Sequence, residues 1–88
     1  MLQISKDILL ENYPDEYELI RQGEKNPQEC YILVVGLCLV SVDGKFKSKI
    51  LENALFGELA LIADGSRTAT VTTTTDTDVL VIKRNLFF

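Results

Sequence analysis

Histidine is absent from this sequence of 88 residues, and cysteine occurs only twice. Without histidine, neither a serine–histidine nor a cysteine–histidine catalytic pair can form, and most zinc sites lack their usual ligands. Cys30 and Cys38 are too few for a metal cluster. On one strand they would lie roughly 26 Å apart, which is too far for a disulfide. We therefore expect two buried free thiols in a reducing cytoplasm, and no metal.

Positive charge and long apolar runs are also scarce. The formal net charge is −4, and the only local positive cluster is 45–49, where lysines alternate with other residues. In a strand these lysines share one solvated face, and an acidic chain without a basic patch is not expected to bind nucleic acid directly. No apolar run approaches the roughly 20 residues of a membrane span. The first residues lack the basic region and apolar stretch of a signal peptide. We therefore expect neither a membrane span nor a signal peptide.

The apolar residues that are present, 47% of the chain, indicate a globular protein, and the length fits one small domain over residues 1–88. Short apolar segments separated by turn residues predict six to eight strands and one short helix between them. This pattern is typical of a mainly β fold, an antiparallel barrel or jelly roll. A short N-terminal helix is also predicted over Asp7–Asn12, with Ser5 or Asp7 as its cap and Pro14 beyond its end. The predicted strands are 16–20, 30–35, 37–42, 45–50 and two within 68–84 that break near Asp76 or Asp78.

The Asp-Gly pair at 43–44 predicts a β-hairpin, because Gly44 adopts positive φ readily and Asp43 can bond its own backbone. Two registers are open. A two-residue loop would put Leu39 on the same face as Phe46 and Ile50. A three-residue loop with a bulge would put Val40 there instead. We favour the second register, because the lysines then point outward while four apolar residues face inward: Cys38, Val40, Phe46 and Ile50.

The candidate site lies in the stretch 55–71, which holds one acid and one base among apolar and small residues. A helix beginning at Gly57 or Glu58 would present free backbone amides and a positive dipole end, which suits an anion such as phosphate. Gly57 allows a sharp turn, and the small side chain of Ala60 leaves the approach open. After a turn at Asp64-Gly65, Arg67 can fold back and offer its planar fork to two phosphate oxygens.

Glu58 would repel a bare phosphate, so its carboxylate makes sense if the ligand also carries a hydroxyl group. A ribose 2′-hydroxyl can donate to a carboxylate in a charge-assisted hydrogen bond. Cyclic nucleotides join an anionic phosphate and a free 2′-hydroxyl within a few ångströms. The residues themselves therefore favour a cyclic nucleotide as the ligand.

The sequence FGELALIADGSRTATV, residues 56–71, resembles the phosphate-binding cassette of the cyclic nucleotide-binding domain family. That family includes protein-kinase regulatory domains, gated channels and bacterial regulators of the catabolite-activator class. The resemblance extends upstream, where Gly23, Tyr31 and Gly36 match the family's pattern of loop, aromatic strand and glycine. It extends downstream through 76–84, so that it covers Tyr17 to Arg84. We expect Tyr31 to lie in the core rather than to stack on a ligand.

The resemblance implies a role for each matching residue. Glu58 would hold the ribose 2′-hydroxyl and Arg67 would pair with the cyclic phosphate, while Gly57 shapes the turn. A threonine at Thr68 permits cGMP without selecting it over cAMP. The other expected ligand-binding residues are Leu59, Ala60 and Ala69, through their backbone amides, and Val40 and Ile50, as walls near the base.

The sequence departs from the family pattern in three places. Asn53 stands where the family often has glycine, and asparagine tolerates the left-handed conformation of that turn. Ser66 replaces a proline, which should leave the loop before Arg67 looser. The family continues into a C-terminal helix that closes over the base, whereas this chain stops at Phe88. Leu86, Phe87 and Phe88 are interpreted as either the start of that helix or a cut apolar end.

The sequence therefore predicts a cytoplasmic regulatory module that binds cAMP or cGMP and controls an effector outside this segment. The alternative is a domain of the same fold that binds no nucleotide and serves as a structural or protein-interaction module. In that alternative Glu58 and Arg67 form an ion pair between loop and helix. An enzyme such as a small cupin is not expected, because cupin metal sites rely on histidine. No cofactor is expected apart from the nucleotide ligand.

Overall fold

The computed structural model describes residues 2–62 and 65–87. These ranges contain nine strands, whereas the sequence pattern predicted six to eight. The same ranges contain one α-helix and one 3-10 helix. In chain order the elements are β1 (Leu2–Ser5), β2 (Ile8–Tyr13), β3 (Glu18–Ile20), β4 (Glu29–Val35), β5 (Cys38–Val42), β6 (Lys45–Ile50), β7 (Leu55–Phe56), α1 (Glu58–Ile62), β8 (Thr70–Thr73), β9 (Thr77–Lys83) and the 3-10 helix Arg84–Phe87.

The strands form two antiparallel sheets, with the order β1-β2-β9-β4-β7 in one and β3-β8-β5-β6 in the other. The predicted mainly β fold of jelly-roll type is confirmed, as two open sheets rather than a closed barrel. Inward-facing residues of both sheets build one apolar core, which includes Leu33 of β4 and Val79 of β9, both fully buried. Tyr31 lies in this core and stacks on Phe56 at a centroid distance of 5.3 Å. Burial of these side chains is the main source of the fold's stability.

The predicted N-terminal helix is wrong, because the segment is strand β2. Its six residues pair with β9 from Ile8 opposite Ile82 to Tyr13 opposite Thr77. Six residues are too few for apolar periodicity to distinguish a helix from a strand. A helix of that length would be marginal alone, while pairing with β9 supplies a full ladder of backbone partners.

The predicted hairpin is confirmed, but the favoured three-residue loop is wrong. Val42 pairs with Lys45, so the loop consists of Asp43 and Gly44, both at positive φ. The register then shifts within the ladder, where Val40 pairs with Ser48 and Ser41 with Phe46. This bulge keeps Cys38, Val40 and Ile50 on the inner side, as expected. Phe46 moves to the outer side, where 61% of it is exposed.

A second, smaller cluster seats α1 on the five-stranded sheet. Leu61 of α1 is fully buried against Cys30 and Ile82, with Ile32 beside them. Both cysteines are free and buried, as predicted. In the part of the chain that the structure describes, no helix has the length and apolar character needed to cross a membrane.

Candidate ligand-binding site

A cavity of about 260 Å³ opens where α1 and the loop before β8 face the inner side of the β5–β6 hairpin. The nine residues predicted from the sequence to bind ligand all line it: Val40, Ile50, Gly57, Glu58, Leu59, Ala60, Arg67, Thr68 and Ala69. The structure thus brings together residues that are up to 29 positions apart in the sequence. Four further lining residues were not predicted: Ile20, Leu55, Phe56 and Val71. Ile20 and Val71 are paired on β3 and β8, and the alternation of each strand could have placed them on this inner face.

Gly57 forms the turn into α1 at a φ of +83°. A Cβ atom at this position would lie 3.0 Å from Arg67 Nη1 and 3.0 Å from Ile20 Cδ1. Glycine is therefore required both for the backbone conformation and for the close approach of the arginine. The turn and the position of the guanidinium depend on each other.

Arg67 is buried, with only 6% of the residue exposed. Its Nη1 donates to the carbonyl oxygen of Gly57 at 2.5 Å, and its Nη2 donates to the carbonyl oxygen of Glu29 at 2.6 Å. Its buried Nε has no hydrogen-bond partner among the described residues. A buried donor without a partner is costly, as is a buried charge without a counter-ion. The guanidinium is therefore held in place with capacity left for an anion.

The backbone of Arg67 is held as firmly as its side chain. Gly23 donates its N–H to the carbonyl oxygen of Arg67, and the N–H of Arg67 donates to the carbonyl oxygen of Glu24, both at 2.8 Å. The loop between β3 and β4 thereby holds the residue beside the pairing of β3 with β8 in the four-stranded sheet. These two bonds restrain the backbone directly after Ser66, a residue that lacks the conformational restriction of a proline.

Glu58 is half-buried at the first residue of α1 and lines the same cavity. Within residues 2–62 and 65–87, side-chain ion pairs join Arg21 to Glu18 and Lys83 to Glu29, and none joins Glu58 to Arg67. The loop-to-helix ion pair considered as an alternative is therefore not the arrangement found here. The two charges are present together in one cavity without neutralising each other by direct contact.

The thiol of Cys30 lies close enough to this site to sense both charges. Its pKa is raised to about 11, mainly by burial and also by the carboxylate of Glu58, while the guanidinium of Arg67 opposes the shift. Burial alone raises the pKa of Cys38 to about 11. Both thiols therefore stay protonated near neutral pH.

Other predicted features of the cassette have mixed outcomes. Asn53 has a φ of +76°, so asparagine does adopt the left-handed turn that the family's glycine would take. Thr68 is exposed at the rim of the cavity. The turn predicted at Asp64 lies outside the described residues, as does Phe88. The preceding residues, Arg84–Phe87, form a 3-10 helix.

A family model described as the cyclic nucleotide-binding domain matches residues 10–88. The chain therefore belongs to the cyclic nucleotide-binding domain family, as the cassette resemblance predicted. A cGMP-dependent protein kinase, isozyme 2, of Drosophila melanogaster is 32% identical over 75 residues, which cover 85% of this chain and 7% of that protein. A cGMP-dependent protein kinase of Eimeria tenella is 31% identical over 83 residues, which cover 94% of this chain and 8% of that protein.

Solved structures give the same family. The regulatory domain of Toxoplasma gondii PKA, co-crystallised with cAMP, has a TM-score of 0.83 and 28% identity to this chain. The match covers 92% of this chain and 32% of that one. The chain spans less than a tenth of the length of the two kinases that it matches.

Proposed function

We propose that this domain binds a cyclic nucleotide, cAMP or cGMP, in the cavity between α1 and the β5–β6 hairpin. In this proposal Arg67 pairs with the cyclic phosphate and Glu58 accepts a hydrogen bond from the ribose 2′-hydroxyl. The backbone amides of Leu59, Ala60 and Ala69 would complete the phosphate contacts. The base would then lie against the apolar side chains of Val40 and Ile50.

The observation that carries this proposal is the state of Arg67. Arg67 is only 6% exposed, and its guanidinium has two carbonyl contacts and no ion-pair partner in the described ranges. Its charge is therefore poorly compensated in the protein without ligand. An anionic ligand would supply the missing charge. A phosphate can accept from two guanidinium nitrogens at once, which a chloride ion cannot do with the same geometry.

Glu58 and the apolar walls support a nucleotide over a simple anion. A free phosphate would meet the carboxylate of Glu58 unfavourably, because both are negative. A ligand that presents a hydroxyl to Glu58 and a phosphate to Arg67 satisfies both groups. The apolar side chains of Ile20, Val40 and Val71 would gain no favourable contact from phosphate alone, but they suit a purine ring.

We further propose that ligand binding regulates an effector outside this segment. The relatives support this step, since two are cGMP-dependent kinases and one is the regulatory domain of a kinase. A ligand shifts such an equilibrium only by its differential affinity for two conformations. Arg67 is the natural source of that difference, because its burial without a counter-ion is relieved only when the anion is bound.

Isothermal titration calorimetry with cAMP and with cGMP tests the proposal on the wild type, Arg67→Ala and Glu58→Gln. Loss of the buried guanidinium–phosphate pair should weaken binding at least about 100-fold, or roughly 2.7 kcal/mol. Glu58→Gln should weaken it less, because an amide oxygen still accepts a hydrogen bond. Arg21→Ala is the matched control, since the side chain of Arg21 is 75% exposed and Arg21 is not one of the residues that line the cavity.

Thermal unfolding of each variant separates a lost contact from a lost fold. Equal affinity in the wild type and Arg67→Ala would contradict the proposed role of the arginine. No heat with either nucleotide at millimolar concentration, in a folded wild type, would favour a structural or protein-interaction domain instead. The effect of Thr68→Ala on the ratio of cGMP to cAMP affinity would show whether the threonine contributes to ligand choice.

A further inference from the structure

The two carbonyl groups that hold the Arg67 guanidinium belong to different parts of the fold. The carbonyl of Gly57 directly follows β7, the edge strand that pairs with β4. The carbonyl of Glu29 belongs to β4, on the sheet. The contact between Arg67 and Glu29 therefore joins the guanidinium directly to β4, an inner strand of the sheet, whereas the contact to Gly57 reaches the sheet through the edge strand β7.

Glu29 is the first residue of β4, and its partner across the ladder is Lys83, the last residue of β9. Terminal pairs of a ladder open most readily, because they have neighbours on one side only. Here the pair is closed by a second contact, since Lys83 Nζ lies 3.0 Å from Glu29 Oε2. The next residue along, Arg84, donates its backbone N–H to the carbonyl oxygen of Gln28 at 2.8 Å.

The Lys83–Glu29 pair is also better placed than the other ion pair of the described chain. Its side chains are 39% and 34% exposed, whereas those of Arg21 and Glu18 are 75% and 47% exposed. A half-buried pair is less screened by solvent and salt. It can therefore bias the position of the strand end more than an exposed pair could.

We propose that Lys83 and Glu29 are positioning residues for the anion site. Lys83 fixes the side chain of Glu29, the start of β4 is thereby held, and the carbonyl of Glu29 fixes the guanidinium of Arg67. The effect of this chain of contacts on nucleotide affinity rests on the proposed function; the positioning of Arg67 itself does not. Neither Lys83 nor Glu29 lines the cavity, so both act through Arg67.

The same contacts join the site to the segment that leaves the sheet. Lys83 is followed directly by the 3-10 helix Arg84–Phe87. A change in this helix that displaces Lys83 would weaken the contacts through which Glu29 positions Arg67. By reciprocity, an anion that fixes Arg67 would favour the closed Lys83–Glu29 pair.

A charge-reversal series tests this inference. Lys83→Glu places two carboxylates together at the end of the ladder, and we expect roughly threefold to tenfold weaker binding of cAMP and cGMP. Glu29→Lys combined with Lys83→Glu restores an ion pair with the charges exchanged, and it should recover affinity to within about twofold. Arg21→Glu is the matched control, because it makes the same change in net charge at the more exposed pair, and it should leave affinity unchanged.

The Arg67 Nε–Hε signal in NMR spectra of the ligand-free protein gives a readout that does not depend on nucleotide binding. Assignment comes from its loss in Arg67→Lys. We expect Lys83→Glu to shift or broaden this signal, the double variant to restore it and Arg21→Glu to leave it unchanged. An unchanged signal in Lys83→Glu would overturn the positioning role, as would failure of the folded double variant to restore it. If the wild type binds no nucleotide, the proposed function fails, while the NMR series still decides this inference.

Discussion

The centre of the five-stranded sheet and the cassette around α1 are held together in different ways. β4 and β9 are joined by six residue pairs with one register shift between Leu33 and Val35, and Leu33, Val79 and Val81 are almost completely buried between the sheets. The cassette has a five-residue helix, a glycine at positive φ and a buried guanidinium with an unpartnered Nε among the described atoms. The sheet centre is held by backbone pairing and apolar packing within the protein, whereas the cassette leaves a buried hydrogen-bond donor available to a ligand.

This difference shows how a small domain can keep a poorly compensated site. The apolar core supplies stability, and a few hydrogen bonds from β4 and the β3–β4 loop hold Arg67 against it. A domain of this size has only a few kcal/mol of net stability. The destabilisation caused by the site must therefore stay confined to the cassette. Substitutions in the sheet should change mainly the free energy of unfolding, and substitutions in the cassette should change mainly ligand affinity.

The largest expected effect is on the sheet, from Leu33→Ala. The side chain is fully buried, so its removal leaves a cavity and should lower the free energy of unfolding by about 2–5 kcal/mol. Leu59→Ala in the cassette is the matched control, because 75% of Leu59 is exposed. Its effect should stay below about 0.5 kcal/mol. Urea denaturation measures both, and similar losses in the two variants would contradict the division between the regions.

A smaller effect is expected from Gly57→Ala at the entrance to α1. Alanine at a φ of +83° costs about 1–2 kcal/mol, and its Cβ would press on Arg67 Nη1 and Ile20 Cδ1. Nucleotide affinity should fall as well, because the guanidinium is displaced.

Gly65→Ala provides the control for this prediction, because a Cβ there meets no atom within 4 Å and the φ is not positive. It should be neutral or stabilise the fold by up to about 1 kcal/mol. Urea denaturation and calorimetry on both variants would separate backbone strain from a general intolerance of the segment. If Gly57→Ala were as stable and as active as Gly65→Ala, the close packing of turn and arginine would be refuted.

The smallest expected effect compares the two thiols under alkaline conditions. Burial raises the pKa of Cys30 and Cys38 from 9.0 to about 11 in the folded protein. Their contribution to stability is then fully present below pH 9 and is lost as the pH rises towards 11. By pH 10 each thiol should have cost roughly 1 kcal/mol of stability.

Denaturation at pH 8 and pH 10 in Cys30→Ala and Cys38→Ala assigns this loss to each thiol. Each variant should show a smaller decline between the two pH values than the wild type. Cyclic nucleotide should change the contribution of Cys30 but not that of Cys38, because only Cys30 senses Glu58 and Arg67. Equal responses of the two thiols to ligand would weaken the link between Cys30 and the site.

The glycine and the two charged residues of the candidate site could be found from the sequence because their spacing is local. Gly57, Glu58 and Arg67 lie within eleven positions, and a glycine turn followed by a short helix dictates where each one points. The strands β4, β5 and β8 were also predictable from runs of apolar and β-branched residues. Ile20 and Val71 are 51 positions apart in the sequence and were missed, since they join the site only through the pairing of β3 with β8.

The errors share a physical cause. Ile8 to Tyr13 could form a strand or a helix by local preference, and pairing with β9 decided between them. The β5–β6 hairpin could have had either loop, and a bulge placed later in β6 reconciled the short loop with an inward-facing Val40. In both cases the local free energies of the alternatives differ little, so contacts with distant strands select one.

The sequence by itself determined the mainly β class, the helix at Glu58 and the hairpin at 43–44. It also determined which cassette residues belong to the candidate site. Each of these features depends on neighbours in the chain. Only the tertiary structure decided the fate of the N-terminal segment, the side of the hairpin that Phe46 faces and the partners of Arg67. Those features depend on which backbone edges and carbonyl groups meet across the two sheets. Carbonyls carry no side-chain identity, so the contact from Arg67 to Glu29 left no signal in the sequence.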